Sequence, residues 1–230
     1  GSYMPVFKVG EAFGLFLAQI NGLNFLPSTH QEGHVMAGLW SAGLPLGRYL
    51  TLHLSGGTTE IIVSEEISPG KLNLNLLSGS SDLNAGQFID RLGNAMGLDF
   101  PSGPQIEVLA CKAENNLPLL TTAVCGSTVS FSGPASQAER LLQGGCSRPD
   151  LARAIEVCIA DSLIAALKHA LKENSSYDGL LVVGGVASNQ FIRQRLKANI
   201  GELISLHFAL PKFASDNAVG LAVQAARVTK

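Results

Sequence analysis

The sequence predicts an α/β protein, and three observations carry that reading. Between residues 48 and 77 lie three β-prone runs, 48–54, 59–64 and 71–77, joined by turn compositions at Ser55-Gly56-Gly57-Thr58 and at 66–70. Much later, Leu180-Leu181-Val182-Val183 forms a short, wholly apolar run between helical patterns, as a buried strand does. The composition, 46% hydrophobic and 15% charged with 25 glycines, suits a compact enzyme-like chain and argues against disorder.

Taken in order, the chain opens on an apolar helix over 6–20, marked by Phe7, Phe13, Leu15, Phe16, Leu17 and Ile20 and ended by Gly22. A helix this apolar calls for a sheet to cover. Phe25-Leu26-Pro27-Ser28 reads as a short strand leading into Thr29-His30-Gln31-Glu32-Gly33-His34. If that stretch is helical, His30 and His34 lie one turn apart on one face, within reach of a single metal ion. Four-residue spacing between two histidines on a helix is more often met in a surface or half-buried pair than in a ligand set.

The three runs from Arg48 onward predict an antiparallel meander. Helices are expected over 84–96, 104–114, 135–142 and 148–172, with a short strand at 128–132. The buried strand at 180–183, a helix over 189–199, a strand over 203–209 and a closing helix over 215–227 complete the series. A meander followed by crossover helices and parallel strands describes one lobe of a sheet with helices on its faces.

Two glycine turns stand out. Leu54-Ser55-Gly56-Gly57-Thr58-Thr59 links two strands, where bare backbone and hydroxyls can cradle phosphate oxygens or simply turn a hairpin. Gly184-Gly185-Val186-Ala187-Ser188-Asn189 joins a strand to a helix and aims that helix's N-terminus above the sheet edge, with Asn189 as a polar handle. At Phe213-Ala214-Ser215-Asp216-Asn217, either Ser215 or Asp216 can cap the closing helix. An Asp216 carboxylate added to the two imidazoles would also complete a two-histidine, one-carboxylate set for Fe(II) or Zn(II) with open positions.

Charge and cysteines bound the partners. A net charge of -2 gives no global field for nucleic acid, and Lys168, Lys172, Arg193, Arg195 and Lys197 read as scattered charges on solvated helix faces. The four cysteines form no C-x-x-C pair and no apolar run nears the length of a membrane span, so reduced thiols, a cytoplasmic location and no membrane are expected.

The motifs together, His30-x-Glu32-Gly33-His34, Ser55-Gly56-Gly57-Thr58-Thr59, Ala85-Gly86-Gln87-Phe88-Ile89-Asp90, Phe100-Pro101-Ser102-Gly103-Pro104, Gly184 to Asn189 and Ser215-Asp216-Asn217, resemble the tRNA threonylcarbamoyladenosine transferase family. Older annotation knows that family as O-sialoglycoprotein endopeptidase or glycoprotease. The resemblance implies an actin-like ATPase fold, shared with sugar kinases and Hsp70, in which metal and adenine nucleotide lie between two lobes. Residues 1–46, closed by 217–230, would be a remnant of the first lobe, and 47–216 the second.

It implies metal ligands His30, His34 and Asp216, and nucleotide or adenylate contacts from Leu54, Ser55, Gly56, Gly57, Thr58, Asp90, Gly103, Gly184, Gly185 and Asn189. The cofactors would be one divalent metal, Fe or Zn, and ATP or threonylcarbamoyl-adenylate. The reaction would move threonylcarbamoyl onto the adenosine beside the anticodon of tRNA, with partner proteins of a threonylcarbamoylation complex and a fold-related second subunit. No catalytic residue is assigned.

The family pattern has histidine where this chain has Thr58, glutamate where it has Gln87, and lysine where it has Ala135. A noncatalytic paralogue that keeps metal and ATP binding as a scaffold is therefore the alternative. A metalloendopeptidase is disfavoured, because Gln31 stands where His-Glu-x-x-His needs its glutamate.

Overall fold

The computed structural model describes residues 5–45, 47–114, 117–173, 176–214 and 216–228, so Ser215 and the side chain of Phe7 lie outside the described residues. The meander is present: β1 (Arg48–Leu54), β2 (Thr59–Ser68) and β3 (Lys71–Gly79) pair antiparallel in sequence order. β6 (Gly179–Val183) adds parallel to β1, and β7 (Leu206–Phe208) adds parallel to β6, giving the order β3-β2-β1-β6-β7. A separate hairpin, β4 (Ala123–Cys125) with β5 (Thr128–Ser130), extends from the expected 128–132 strand.

Strand alternation divides the core into two layers. On β1 and β6 the even residues Leu50, Leu52, Leu54, Leu180 and Val182 face one large cluster. That cluster is closed by α3 (Ala85–Ala95), α4 (Gly103–Ala110), α5 (Ser132–Gln143), α6 (Arg148–Glu173) and α7 (Gln190–Ile200). The odd residues Tyr49, Leu181 and Val183 face the other way, onto Val35, Met36 and Leu39 of α2 (His30–Ser41).

Behind α2 runs α8 (Val219–Val228). A Cβ on Gly220 would stand 1.9 Å from the Gly33 carbonyl oxygen, so the two helices cross backbone to backbone. Likewise a Cβ on Gly38 would meet Val183 Cγ1 at 2.5 Å, which lets α2 lie close on the sheet.

Several expectations need correction. Residues 25–28 are irregular, because the chain passes directly into a capping box in which Thr29 and Glu32 satisfy each other's backbone N–H at the start of α2. The first helix, α1 (Pro5–Ile20), covers no sheet: Val9, Phe13, Phe16 and Ile20 are exposed and only Ala18 is buried among its described side chains. α4 stops at Ala110, and beyond it the Glu114 amide donates to Asp150 at 2.8 Å, drawing the chain toward α6. The closing helix starts four residues later than expected, since Asn217 Oδ1 accepts from the Val219 amide at 2.9 Å. Asp216 is thus no helix cap but part of the preceding loop.

Candidate metal and nucleotide site

The site grows from the start of α2. The Thr29–Glu32 capping box fixes the first turn, with the Thr29 amide donating to Glu32 at 2.6 Å and the Glu32 amide to Thr29 Oγ1 at 3.2 Å. His30 and His34 then project together, their Nε2 atoms 3.2 Å apart. Asp216 Oδ1 lies 3.1 Å from His34 Nε2 and 3.4 Å from His30 Nε2. His34 is 3% exposed, His30 38% and Asp216 78%, so the trio has a buried floor and a side open to solvent.

Three basic atoms converging on one point leave more lone pairs than protons, which is the arrangement a cation resolves. Donors bound to one ion at about 2.1 Å stand about 3.0–3.4 Å apart, from octahedral to tetrahedral angles. The observed separations fall in that range. His34 is moreover held toward its neutral, lone-pair-bearing form, first by burial and then by the neighbouring His30, against the raising influence of Asp216. The donor set therefore fits a divalent Fe or Zn ion.

Glu32 is unsuited to act as a base at this point. Its carboxylate accepts from the Thr29 amide and from Ser28 Oγ at 3.3 Å, on the outer side of the first turn.

A further histidine lies beneath the trio. His53 on β1 points to the α2 side, its ring 4.7 Å from that of His34, and is 1% exposed with neither ring nitrogen hydrogen-bonded. Burial, with the neighbouring His34 and His30, pushes its pKa down to about 3, so it is neutral at ordinary pH. Sequence reading passed over it. The available signal was a second polar residue, after Thr51, on the odd-numbered side of the strand.

Both glycine turns leave the same end of the sheet, because β1 and β6 run parallel and His53 pairs with Val183. This is the carboxyl end, where ligands of open α/β sheets bind. Gly184 takes φ +98, and a Cβ there would stand 2.1 Å from the Leu54 carbonyl oxygen, so this glycine joins the two turns. Gly56, Gly57 and Gly185 face open space.

The hairpin turn at 55–58 is held in place by its neighbours. The Ser55 amide donates to the Thr58 carbonyl at 2.8 Å, Asn84 Nδ2 to the Gly57 carbonyl at 2.8 Å, and the Ala85 amide to Thr59 Oγ1 at 2.8 Å. Thr58 itself is half-buried. Gly57, Thr58 and Asn84 also line a groove of about 430 Å³ that runs along Glu60 and Ser78. Glu60 accepts from Gln31 Nε2, joining the rim of this groove to the helix that carries the histidines.

Asp90 and Gly103 come together through Ser102, whose amide donates to Asp90 Oδ1 at 2.8 Å just before α4 begins. Gly103 has open space where a side chain would stand.

Asn189 is placed differently from the expectation of a free polar handle. Its Oδ1 caps α7 by accepting from the Ile192 amide at 2.9 Å, and its Nδ2 donates to Glu156 at 2.6 Å, leaving it 8% exposed. Glu107 in turn accepts from the Gln190 amide at 2.7 Å. A carboxylate already occupies the N-terminal amide of α7, so the exposed backbone at Gly185 is the freer donor surface in this turn.

Solved structures with the same fold include component A of (R)-2-hydroxyglutaryl-CoA dehydratase from Acidaminococcus fermentans, with TM-score 0.57 and 15% identity over 91% of this chain and 73% of that one. The activator of 2-hydroxyisocaproyl-CoA dehydratase from Clostridium difficile, with bound ADPNP, aligns with TM-score 0.55 and 14% identity over 87% and 65%. HypF from T. kodakarensis gives TM-score 0.68 and 12% identity, covering 95% of this chain and 38% of HypF. At such identities the likeness concerns the fold, and the fold is that of the actin-like ATPases. The family profile described as TsaD, tRNA N6-adenosine threonylcarbamoyltransferase, matches residues 1–223, nearly the whole sequence. The chain belongs to the TsaD family.

Proposed function

We propose that this chain binds one divalent metal at His30, His34 and Asp216 and an adenine nucleotide beside it, and takes part in threonylcarbamoyl transfer to tRNA. The observation that carries the reading is the convergence of the three donor atoms, 3.1 to 3.4 Å apart, on the face of the sheet whose carboxyl end bears both glycine turns. Family membership supports the transferase class, and ADPNP in the dehydratase activator supports a nucleotide in this fold.

Each residue has a physical role in this proposal. A metal held by the trio would supply positive charge for phosphate or carbamate oxygens. The bare backbones at Gly56, Gly57 and Gly185 let phosphate oxygens approach amide N–H groups. Leu54, Ser55, Thr58 and Gly184 set the shape of those turns. Asp90 keeps one carboxylate oxygen beyond its bond to Ser102 for a ribose hydroxyl, and the open face at Gly103 admits the base. Asn189 acts from behind, by fixing α7. The proposal extends to tRNA and to partner proteins of a threonylcarbamoylation complex, in the cytoplasm; no helix among the described residues is long and apolar enough to cross a membrane. Residues 1–46 with 217–230, joined by the α2–α8 crossing, would belong to the first lobe and 47–216 to the second.

One observation favours a noncatalytic scaffold as the second reading. Ala135, at the family's lysine position, is fully buried in the core and supplies no cation. The deciding experiment incubates metal-loaded protein and its complex partners with threonylcarbamoyl-adenylate and tRNA carrying adenosine beside the anticodon. Incorporation that disappears in His34→Ala supports transfer. Metal and nucleotide binding without incorporation supports the scaffold.

A further inference from the structure

The cations of α7 are not a free basic face. Arg195 pairs with Asp161 at 2.5 Å, and Lys197 lies 5.5 Å from the Phe208 ring centroid. Arg193 does something else. Its Nε donates to the Ala187 carbonyl, inside the 3-10 turn (Gly185–Ser188) that follows the diglycine, at 2.6 Å. Its Nη2 donates to the Ala209 carbonyl, just after β7, at 2.6 Å. The guanidinium also stacks over Phe208, 4.7 Å from the ring centroid. One planar fork therefore spans two separate chain segments.

The second segment leads to the metal trio. From Ala209, whose own amide donates to the Val182 carbonyl at 3.0 Å, the chain passes to Leu210, whose amide donates to Ser41 Oγ at 3.2 Å. A 3-10 turn (Pro211–Phe213) follows, with the Phe213 ring edge-on to Trp40 at 5.1 Å. Asn217 Nδ2 then reaches back to the Phe213 carbonyl at 3.1 Å, leaving Asp216 between two anchors. Ser41 and Trp40 end the same helix that begins with His30, so Asp216 is placed from α2 on one side and from Arg193 on the other.

We propose that Arg193 is a positioning residue that couples the diglycine turn to the Asp216 segment, so that filling either site changes affinity at the other. The fork geometry carries this. A guanidinium offers Nε and Nη donors in one rigid plane, so the Ala187 and Ala209 carbonyls cannot shift independently without losing a bond from a half-buried charge. Lysine, a single flexible ammonium, cannot hold both carbonyls in that plane. The inference rests on the reading of a metal at the trio and a nucleotide at the glycine turns.

The test measures ATP affinity by calorimetry on metal-loaded protein freed of excess ion, and again on chelator-stripped protein, for the wild type, Arg193→Lys and Arg195→Lys. Wild type and Arg195→Lys should each differ between the two states by about fivefold or more, the lower end of ordinary coupling. In Arg193→Lys the ratio should fall to less than about half the wild-type value, the remainder being the direct attraction of the metal for phosphate oxygens. A merely structural arginine would weaken both affinities and leave the ratio intact.

If wild type binds both ligands with a ratio of one, or Arg193→Lys keeps the wild-type ratio, the inference is overturned while the site reading stands. If wild type binds neither ligand, both fall. Should Arg193→Lys not fold, amide exchange of the wild type decides. Slower exchange over 209–214 when ATP is added to stripped protein supports the coupling, and unchanged exchange overturns it.

Discussion

Glu156 gives the plainest residue-scale prediction. Its side chain is fully buried on α6, bonded by Asn189 and, at 2.6 Å, by Arg153. Burial pushes its pKa up from 4.5 to about 7; the nearby Glu107 adds to the rise, while Asn189 and Arg153 oppose it. Between those two values the folded chain keeps a proton that the unfolded chain has already lost. Stability therefore falls as pH rises through this window and levels off above it. From pH 5 to pH 8 the group should cost the wild type on the order of 2–3 kcal/mol that Glu156→Gln, uncharged throughout, does not lose. Urea midpoints read across that range check this, and parallel profiles for the two proteins would refute it. At this scale the histidine pair was legible because four-residue spacing on a helix fixes two side chains on one face. The place of Asp216 beside them depends on a loop 182 residues further along, which no local pattern encodes. The packing of His53 beneath His34 and the bond from Asn189 to Glu156 were hidden for the same reason, since those partners are distant in sequence, whereas the Asn189 cap on Ile192 is local.

At the scale of elements, the meander and the buried strand followed from runs and turns, because period two and paired glycines are local signals, while the strand expected over 25–28 did not form. Helix ends did not follow as well. The start of α8 is set by a local turn in which Asn217 Oδ1 accepts from the Val219 amide, and α1 remains apolar without a sheet beneath it, which periodicity alone does not reveal. The α2–α8 crossing is the element-scale feature on which the site depends most, since α2 carries both histidines and Asp216 sits just before α8. In Gly220→Ala the new methyl would meet the Gly33 carbonyl oxygen at 1.9 Å and the Ala37 amide at 3.0 Å. Backbone cannot yield as a side chain can, so the helices must part, at a cost of about 1–3 kcal/mol or more. Thermal unfolding should show the loss, and metal affinity should weaken with it. Gly10→Ala, whose methyl meets nothing within 4 Å, should be neutral or stabilising by about 0.5–1 kcal/mol. Equal melting temperatures for the Gly220 variant and the wild type would contradict the close crossing.

At the scale of the whole molecule, a five-stranded mixed sheet brings two distant glycine turns to one end and lets α2 and the loop before α8 present a three-donor cluster over its face. The actin-like class was legible because several short motifs occur in the right order over nearly the full sequence, a pattern that family membership bears out. The ligand chemistry rests on the donor cluster, and a direct measurement reaches it. Elemental analysis of purified protein, beside His34→Ala and Asp216→Ala, should find close to one equivalent of iron or zinc in the wild type and a large loss in both variants. A wild type without stoichiometric metal, or an Asp216→Ala variant that retains it in full, would contradict the three-ligand centre.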